Sequence, residues 1–297
     1  MRVTIPDILE KKKRGEKITM LTAYDLPLAR LMDQAGIDMV LVGDSLGMVA
    51  LGYPSTVPVT MRDMIHHAKA VRRGVERALV VGDMPFMSFN VSRERTIANA
   101  GRFLKEAGCD AVKVEAGQGS ADSIEAVETI VQAGIPVVGH LGLTPQTAGM
   151  VGGFRVQAKS ARAAADLLEE AKALEESGCF CLVLECVPAE VAAAITKALA
   201  IPTIGIGAGP HCDGQVLVTH DLLGFSSGFH PKFVRRFARL DQDVLKAFGE
   251  FKRSVKEGDF PLREESYPMS AEELRKFKTV SGRRRSKKIV RIGKASG

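Results

Sequence analysis

Four segments of this sequence are typical of buried strands, and each ends in an acidic residue that is followed at once by a loop. The four acids are Asp44, Asp83, Glu115 and Glu185. Continuous apolar runs like those before them are typical of parallel strands that are buried on both faces. A carboxylate is costly to bury unless it is paired or binds a metal. Four acids at matching positions therefore predict a functional site.

Three of these acids are expected to meet around a lysine. Side chains alternate along a strand, so Lys113 and Glu115, which are two residues apart, project from the same face. Asp44 and Asp83 end the two preceding strands, and the carboxyl ends of barrel strands are where catalytic groups lie. The alternative is an ion-pair network around Lys113 with a structural role only. The repeated placement at strand ends favours function.

The donor set of this group predicts the metal. Asp44, Asp83 and Glu115 offer carboxylate oxygens, which Mg²⁺ prefers and Zn²⁺ does not. Three carboxylates exceed the charge of one divalent ion, so some of them are expected to act through a metal-bound water, with Lys113 offsetting part of the excess. A 2-oxo acid could chelate the same ion through its keto and carboxylate oxygens, which would stabilise an enolate.

Other polar residues at strand ends leave two interpretations open. Glu185 has apolar neighbours, so a raised pKa and a role in proton transfer are expected, and a structural carboxylate is the alternative. His140 is either a hydrogen-bonded core histidine or a residue that orients substrate or catalytic water. Ser45 either binds a substrate carboxylate or caps its loop. Cys186 lacks a paired base in the pattern, which argues against a nucleophile.

The elements that carry these residues form a regular alternation. Eight strand-like runs with helix-like segments between them predict an α/β fold, a TIM (β/α)8 barrel. The runs cover residues 18–24, 39–44, 78–83, 111–115, 136–141, 181–186, 203–207 and 215–220. Residues 208–214 are too few for a helix, so the seventh helix is expected to be degenerate. Residues 45–59 are expected to form a loop, and Ile5–Arg14 a helix outside the repeat.

The composition divides the chain into a near-neutral body and a basic end. Residues 281–297 contain seven arginines and lysines and no acid, which exceeds the net charge of +6 for the whole chain. We expect one barrel domain at 1–269 and a disordered basic extension at 270–297. Contact with nucleic acid is an unlikely role for this extension, and contact with an acidic partner or a neighbouring subunit is an alternative.

The same sequence predicts a cytoplasmic protein that does not enter a membrane. No run of about 18 apolar residues occurs, and the first residues lack the apolar core of a signal peptide. The five cysteines form no CxxC pair, which is typical of reduced thiols in a cytosolic protein.

Seven motifs, in order, closely resemble the ketopantoate hydroxymethyltransferase family, over residues 5–269. They are TAYD (22–25), LVGDSLGM (41–48), DMPFM (83–87), VKVE (112–115), GHLGLTPQ (139–146), VLECVP (183–188) and IGIGAG (204–209). The resemblance implies a barrel of the phosphoenolpyruvate mutase and isocitrate lyase superfamily, assembled as a homodecamer. It also implies transfer of a hydroxymethyl group from 5,10-methylenetetrahydrofolate to 3-methyl-2-oxobutanoate (α-ketoisovalerate), through a Mg²⁺-stabilised enolate, as the first step of pantothenate biosynthesis.

The resemblance also implies roles for single residues. It implies that Asp44, Asp83 and Glu115 bind Mg²⁺, directly or through water. It further implies that Asp44, Ser45, Asp83 and Lys113 contact the keto acid. Glu185 would transfer the proton, either at C3 of the keto acid or on the folate.

One departure from the family pattern lies beside the metal site. Ala116 replaces a glycine that the family usually carries, which would matter if the backbone there needs a positive φ.

Two competing functions remain at this point. One is a superfamily lyase or mutase that acts on a C–C or P–C bond of another 2-oxo acid. Such relatives use a cysteine in a mobile loop, and neither 45–59 nor 118–123 contains one. The other is a secondary binding role of the basic extension.

Overall fold

The computed structural model describes residues 2–116, 121–151, 153, 155–225 and 231–292 of the chain. The chain divides into two compact units, Met1–Leu240 and Asp241–Gly297. The first unit is the barrel. The competing lyase interpretation drew on the absence of cysteine from 118–123, and residues 117–120 lie outside the described part.

Eight parallel strands form a closed barrel in which each strand pairs with its neighbours in sequence and β1 pairs with β8. The strands are β1 (Ile18–Thr22), β2 (Met39–Val42), β3 (Leu79–Asp83), β4 (Ala111–Glu115), β5 (Val137–Gly142), β6 (Cys181–Glu185), β7 (Thr203–Ile206) and β8 (Gly214–Leu217). The predicted barrel is confirmed. All eight predicted strands occur, but His220, expected in the last strand, lies in a short helix instead.

Nine helices belong to the described part of the barrel unit. They are α1 (Ile5–Arg14), α2 (Leu26–Gln34), α3 (Leu46–Val49), α4 (Met61–Gly74), α5 (Arg93–Lys105), α6 (Ala121–Gln132), α7 (Ala161–Glu176), α8 (Ala189–Ala198) and α9 (Thr219–Leu223). A 3₁₀ turn at Pro145–Val151 follows β5. No helix joins β7 to β8, as the spacing predicted. Residues 45–59 are not a plain loop, because α3 lies within them.

Local sequence signals fix where these helices begin. Thr60 and Asp63 form a reciprocal capping box at the start of α4, in which each side chain accepts the other residue's backbone N–H. Ser160 caps α7 by accepting a hydrogen bond from the backbone N–H of Ala163.

Helix α1 closes the amino-terminal end of the barrel. Its Ile8 is fully buried in the cluster of apolar side chains that fills the barrel interior. Lys12 of the same helix donates to Asp213 Oδ2 at 2.8 Å and to the Thr196 carbonyl at 2.9 Å. Because this end is sealed by packing, the opposite end, where the strands carry their acids, is the end left for chemistry.

The second unit contains two long helices, α10 (Leu240–Glu257) and α11 (Ala271–Ile292). No residue of α10 is buried, and four large apolar side chains recur along it with exposed fractions of 48–69%. They are Leu245, Phe248, Phe251 and Val255. An exposed apolar surface of this kind is typical of a protein–protein contact.

The structure differs from the sequence-based division of the chain. The boundary lies after Leu240 instead of 269, and α11 occupies residues expected to be disordered. The extension is rich in Glu, Lys and Arg, which are good helix formers, and Ser270 accepts a hydrogen bond from the Glu273 N–H. The basic side chains from residue 282 onward lie outside the described part, so their role stays a prediction. Among the described helices, none combines the length and apolarity needed to cross a membrane.

Candidate active site

The three acids expected to lie together are brought together by neighbouring strands. Asp83 and Glu115 are the last residues of β3 and β4, and Asp44 lies two residues beyond β2. Asp83 pairs with Lys113 in the strand register. All four side chains are almost completely buried, with 2–6% of their surface exposed. The strand pattern therefore placed these residues correctly.

Lys113 is the centre of this group. Its ammonium donates to Asp83 Oδ1 at 2.5 Å and lies 3.8 Å from Glu115 Oε1. The backbone N–H of Asp44 donates to Asp83 Oδ2 at 3.1 Å. Burial alone would lower the pKa of Lys113, but the charges of Asp83, Glu115 and Asp44 outweigh burial and raise it. Lys113 therefore carries its positive charge at neutral pH.

The acids have more negative charge than one lysine can balance. Burial, followed by repulsion from Asp83, raises the pKa of Asp44 to about 7. Burial also raises the pKa of Glu115 well above its usual value, against the attraction of Lys113. Both shifts have the sign expected of carboxylates that are short of a cation.

One contributor to this group was missed by the analysis of strand ends. Gln146 lies in the 3₁₀ turn after β5, and its side-chain Nε2 donates to Asp44 Oδ2 at 2.9 Å. Its backbone N–H donates to Glu115 Oε2 at 3.1 Å. The sequence analysis included Gln146 only as part of the GHLGLTPQ motif. Nothing in its residue type or spacing indicates a contact with Asp44, which follows β2.

His140 lies between Glu115 and Glu185. Its Nδ1 is 3.7 Å from Glu115 Oε1, and its Nε2 is 3.4 Å from Glu185 Oε2. Neither nitrogen makes a hydrogen bond to a described residue. Burial, followed by the charge of Lys113, lowers the pKa of His140 well below its usual value, so the ring is neutral. The role of His140, as a core histidine or as a residue that orients substrate or water, stays a prediction.

Glu185 ends β6 in the apolar surroundings that the sequence indicated. Its side chain is 16% exposed, and burial raises its pKa to about 8. The next residue, Cys186, has a left-handed backbone with φ +50°. Burial, followed by the charge of Glu185, raises the pKa of the Cys186 thiol to about 12, which suppresses the thiolate. The low nucleophilicity expected of Cys186 agrees with this shift.

Ser45 does not cap the helix that it precedes. Its side chain makes no capping hydrogen bond to α3. Its hydroxyl lies 2.8 Å from the hydroxyl of Tyr24. Capping of α3 is therefore excluded, and the hydroxyl pair beside Asp44 could bind a polar substrate group.

Two further sequence features have structural explanations. Ala116 is not among the described non-glycine residues with a positive φ, so its extra methyl causes no backbone strain. In the glycine-rich segment after β7, a Cβ on Gly207 would lie 2.7 Å from the ring of Phe233. The ring of Phe233 therefore packs so closely against Gly207 that no side chain would fit there.

The donor set fits a magnesium ion held by few protein ligands. Within the described ranges, no group of three or more His, Cys, Asp or Glu side chains is arranged so that it could hold a metal ion by itself. Mg²⁺ is commonly held by one or two carboxylates, with waters and substrate oxygens completing the shell. The carboxylates of Asp44, Asp83 and Glu115, all almost completely buried, supply oxygens of the kind that Mg²⁺ prefers.

Comparison with known proteins identifies the family. A sequence model described as ketopantoate hydroxymethyltransferase matches residues 2–263. The chain belongs to the ketopantoate hydroxymethyltransferase family. The matched range includes all eight strands and every site residue described above, and it confirms the resemblance found in the motifs.

Curated relatives agree with this assignment. A 3-methyl-2-oxobutanoate hydroxymethyltransferase of Moorella thermoacetica is 56% identical over 266 residues, which cover 90% of this chain and 98% of the relative. The protein of the same name from Syntrophomonas wolfei is 54% identical over 273 residues, covering 92% of this chain and 98% of the relative. The prediction of a hydroxymethyltransferase enzyme is thereby confirmed.

Solved structures support the predicted fold. A 2,3-dimethylmalate lyase, described as a member of the PEP mutase/isocitrate lyase superfamily, superimposes with a TM-score of 0.55 at 15% identity, covering 95% of this chain and 100% of that chain. Phosphonopyruvate hydrolase in complex with oxalate and Mg²⁺ gives a TM-score of 0.56 at 13% identity, covering 97% and 98%. At such low identity the likeness establishes the fold alone.

Proposed function

We propose that this chain transfers a hydroxymethyl group from 5,10-methylenetetrahydrofolate to 3-methyl-2-oxobutanoate, giving 2-dehydropantoate (ketopantoate), the first step of pantothenate biosynthesis. The observation that carries the proposal is the buried group of Asp44, Asp83, Glu115 and Lys113 at the open end of the barrel, in a chain whose relatives bear the name of this activity. A C–C bond forms between C3 of the keto acid and the one-carbon unit, while the C3–H bond and the two bonds from that unit to folate nitrogens break and tetrahydrofolate is released. The hydroxyl oxygen comes from water, so one water is consumed.

The proposal includes Mg²⁺ at this group of acids. When bound, Mg²⁺ supplies a Lewis acid that polarises the keto oxygen and stabilises negative charge developing there. Asp44 and Asp83 would hold it, with Glu115 contacting it through water. The support is chemical, because the donors are carboxylate oxygens and burial raises the pKa of both Asp44 and Glu115 despite the charge of Lys113.

Lys113 and Ser45 are proposed to orient the keto acid. The charged ammonium of Lys113 is fixed by Asp83 within a buried site, where a charge acts more strongly on a bound anion than it does in water. Because the ammonium is held in place before substrate arrives, little reorganisation is needed when enolate charge develops. The hydroxyl of Ser45, next to Asp44, offers a donor for the substrate carboxylate.

Glu185 is proposed as the proton-transfer residue. A carboxyl with a pKa of about 8 is present in both protonation states near neutral pH. A group that takes a proton in one step and returns it in another needs this property. The ring of His140 is neutral, and its Nε2 lies 3.4 Å from Glu185 Oε2. The ring therefore occupies the space between Glu185 and the proposed metal-binding acids without adding charge.

We further propose a homo-oligomer, a decamer by analogy with the family, in the cytoplasm. The exposed apolar residues of α10 support association, because burying them would remove large apolar side chains from water. The five cysteines are all free thiols, which fits a reducing compartment. The mass of the purified protein, measured by light scattering, tests the assembly. A monomer would contradict it.

The reaction is tested by measuring ketopantoate formed from 3-methyl-2-oxobutanoate, with Mg²⁺ and methylenetetrahydrofolate supplied together and singly omitted. Ketopantoate should form only when both Mg²⁺ and methylenetetrahydrofolate are present. Deuterium exchange at C3 of the keto acid tests the first step separately, and it should be lost in EDTA and in Asp44→Ala. Turnover of a different 2-oxo acid without folate would instead indicate a lyase or mutase.

A further inference from the structure

Gln146 connects three separate parts of the site. Its side-chain Nε2 donates to Asp44 Oδ2 and to the backbone carbonyl of Met84, each at 2.9 Å. Its own backbone N–H donates to Glu115 Oε2 at 3.1 Å. With 4% of its surface exposed, Gln146 is held entirely inside the barrel mouth. It therefore contacts two of the three acids and the loop that follows the third.

The chemistry of these partners fixes the orientation of the amide. The carboxylate of Asp44 and the carbonyl of Met84 are both acceptors, so the NH₂ group of Gln146 must face them. A flipped amide would place its oxygen against two other oxygens. The remaining atom, Oε1, is buried and has no hydrogen-bond partner among the described residues. A buried acceptor left unpaired costs about 1–3 kcal/mol, so a missing donor is indicated.

The donor that suits this oxygen is water. The proposed keto acid has a carboxylate, a keto oxygen and an alkyl group, and none of these donates a hydrogen bond. Mg²⁺ in proteins usually keeps several of its waters, and each is a strong donor. Gln146 contacts the Oδ2 atom of the Asp44 carboxylate, which leaves Oδ1 as the oxygen that Gln146 does not contact.

We propose that Gln146 is a positioning residue for magnesium. Its NH₂ group fixes the carboxylate of Asp44 with Oδ1 presented to the ion, and its Oε1 accepts a hydrogen bond from a water of the ion's shell. This role rests on the magnesium site proposed above. Outer-shell partners of this kind change metal affinity by about 10- to 100-fold when they are replaced.

Gln146→Leu tests the proposal, because leucine keeps much of the volume and removes both functions of the amide. Binding of Mn²⁺ alone, followed by electron paramagnetic resonance, and of Mg²⁺ alone, followed by calorimetry, should weaken by roughly 10- to 100-fold. Activity at low Mg²⁺ should fall and should return when Mg²⁺ is raised by the same factor. The control is Gln132→Leu on α6, an exposed glutamine that contacts Glu128 and Arg93, and it should bind both ions as the unmodified protein does.

Gln146→Asn is the second variant if the leucine protein does not fold, as judged by circular dichroism. It keeps a polar amide, but it is one methylene too short to contact Asp44 and Met84 together, so weaker binding is again expected. Combination with Asp44→Ala separates positioning from general damage. If Gln146 acts through Asp44, adding Gln146→Leu to Asp44→Ala should cost much less affinity than it costs alone.

The outcomes distinguish this inference from the proposed function. If the unmodified protein binds neither ion, the proposed magnesium site is contradicted, and so is the role of Gln146, which depends on it. If the unmodified protein binds the ions and both Gln146 variants bind them as tightly as it does, only the role of Gln146 is overturned. The role of Gln146 would also be overturned if the loss of binding free energy in the double variant equalled the sum of the losses in Gln146→Leu and in Asp44→Ala.

Discussion

Replacing Glu185 with glutamine should make the protein more stable at alkaline pH while removing its activity. Glutamine has nearly the shape of a protonated glutamate and cannot ionise. The pKa of Glu185 is raised from 4.5 to about 8 by burial, so ionising this side chain opposes the folded state. Above the pKa that Glu185 has in the unfolded chain, the wild-type protein is therefore destabilised, and the variant is not.

The size and sign of the effect follow from the two pKa values. Because the folded state binds the proton more tightly, the contribution of Glu185 to stability is fully present below pH 4.5 and is lost as the pH rises through 8. The difference between the two pKa values corresponds to about 5 kcal/mol of folding free energy at complete ionisation. This value is an upper bound, because the side chain is partly exposed. At pH 5 the two proteins should differ by about 1 kcal/mol or less, and at pH 8.5 by several kcal/mol in favour of the variant.

The assay is urea unfolding of both proteins in EDTA, followed by circular dichroism at a series of pH values. Glu190→Gln, which changes an exposed glutamate on the neighbouring helix, is the matched control and should show no gain that grows with pH. Turnover by Glu185→Gln should fall by roughly 10²- to 10⁴-fold. A stability difference that is the same at pH 5 and pH 8.5 would refute the reasoning, and unchanged turnover would remove the catalytic role.

Three further substitutions test the site and its support. Lys113→Met should abolish turnover and lower the free energy of unfolding by about 3–5 kcal/mol, measured in urea, because it leaves buried carboxylates without their cation. Ser45→Ala should raise KM for the keto acid about tenfold with a smaller change in kcat, and the reverse pattern in steady-state kinetics would argue against substrate binding. Gly142→Ala should lower the melting temperature and the activity, because φ there is +96° and a Cβ would lie only 2.2 Å from the Glu185 carbonyl oxygen. Gly101→Ala, on α5 with open space around it, should not destabilise the protein.

The barrel could be predicted because its signals are local and repeated. Each strand is a short apolar run that is buried on both faces, and helix starts such as Thr60 with Asp63 carry their own capping hydrogen bonds. The boundary of the barrel unit could not be found in this way. Residues 241–269 have ordinary globular composition, and only the contacts made in three dimensions assign them to a second unit.

The sequence by itself determined that Asp44, Asp83, Lys113 and Glu115 share one site. The reason is physical: neighbouring parallel strands bring their carboxyl ends together, and side chains two apart project from one face. Tertiary structure alone decided how those groups are held and charged. Gln146 reaches Asp44 from a turn about a hundred residues away, a contact that no local pattern encodes. The pKa values of Asp44 and Glu185 likewise depend on burial and on charges contributed by distant segments, and these exist only once the barrel has closed.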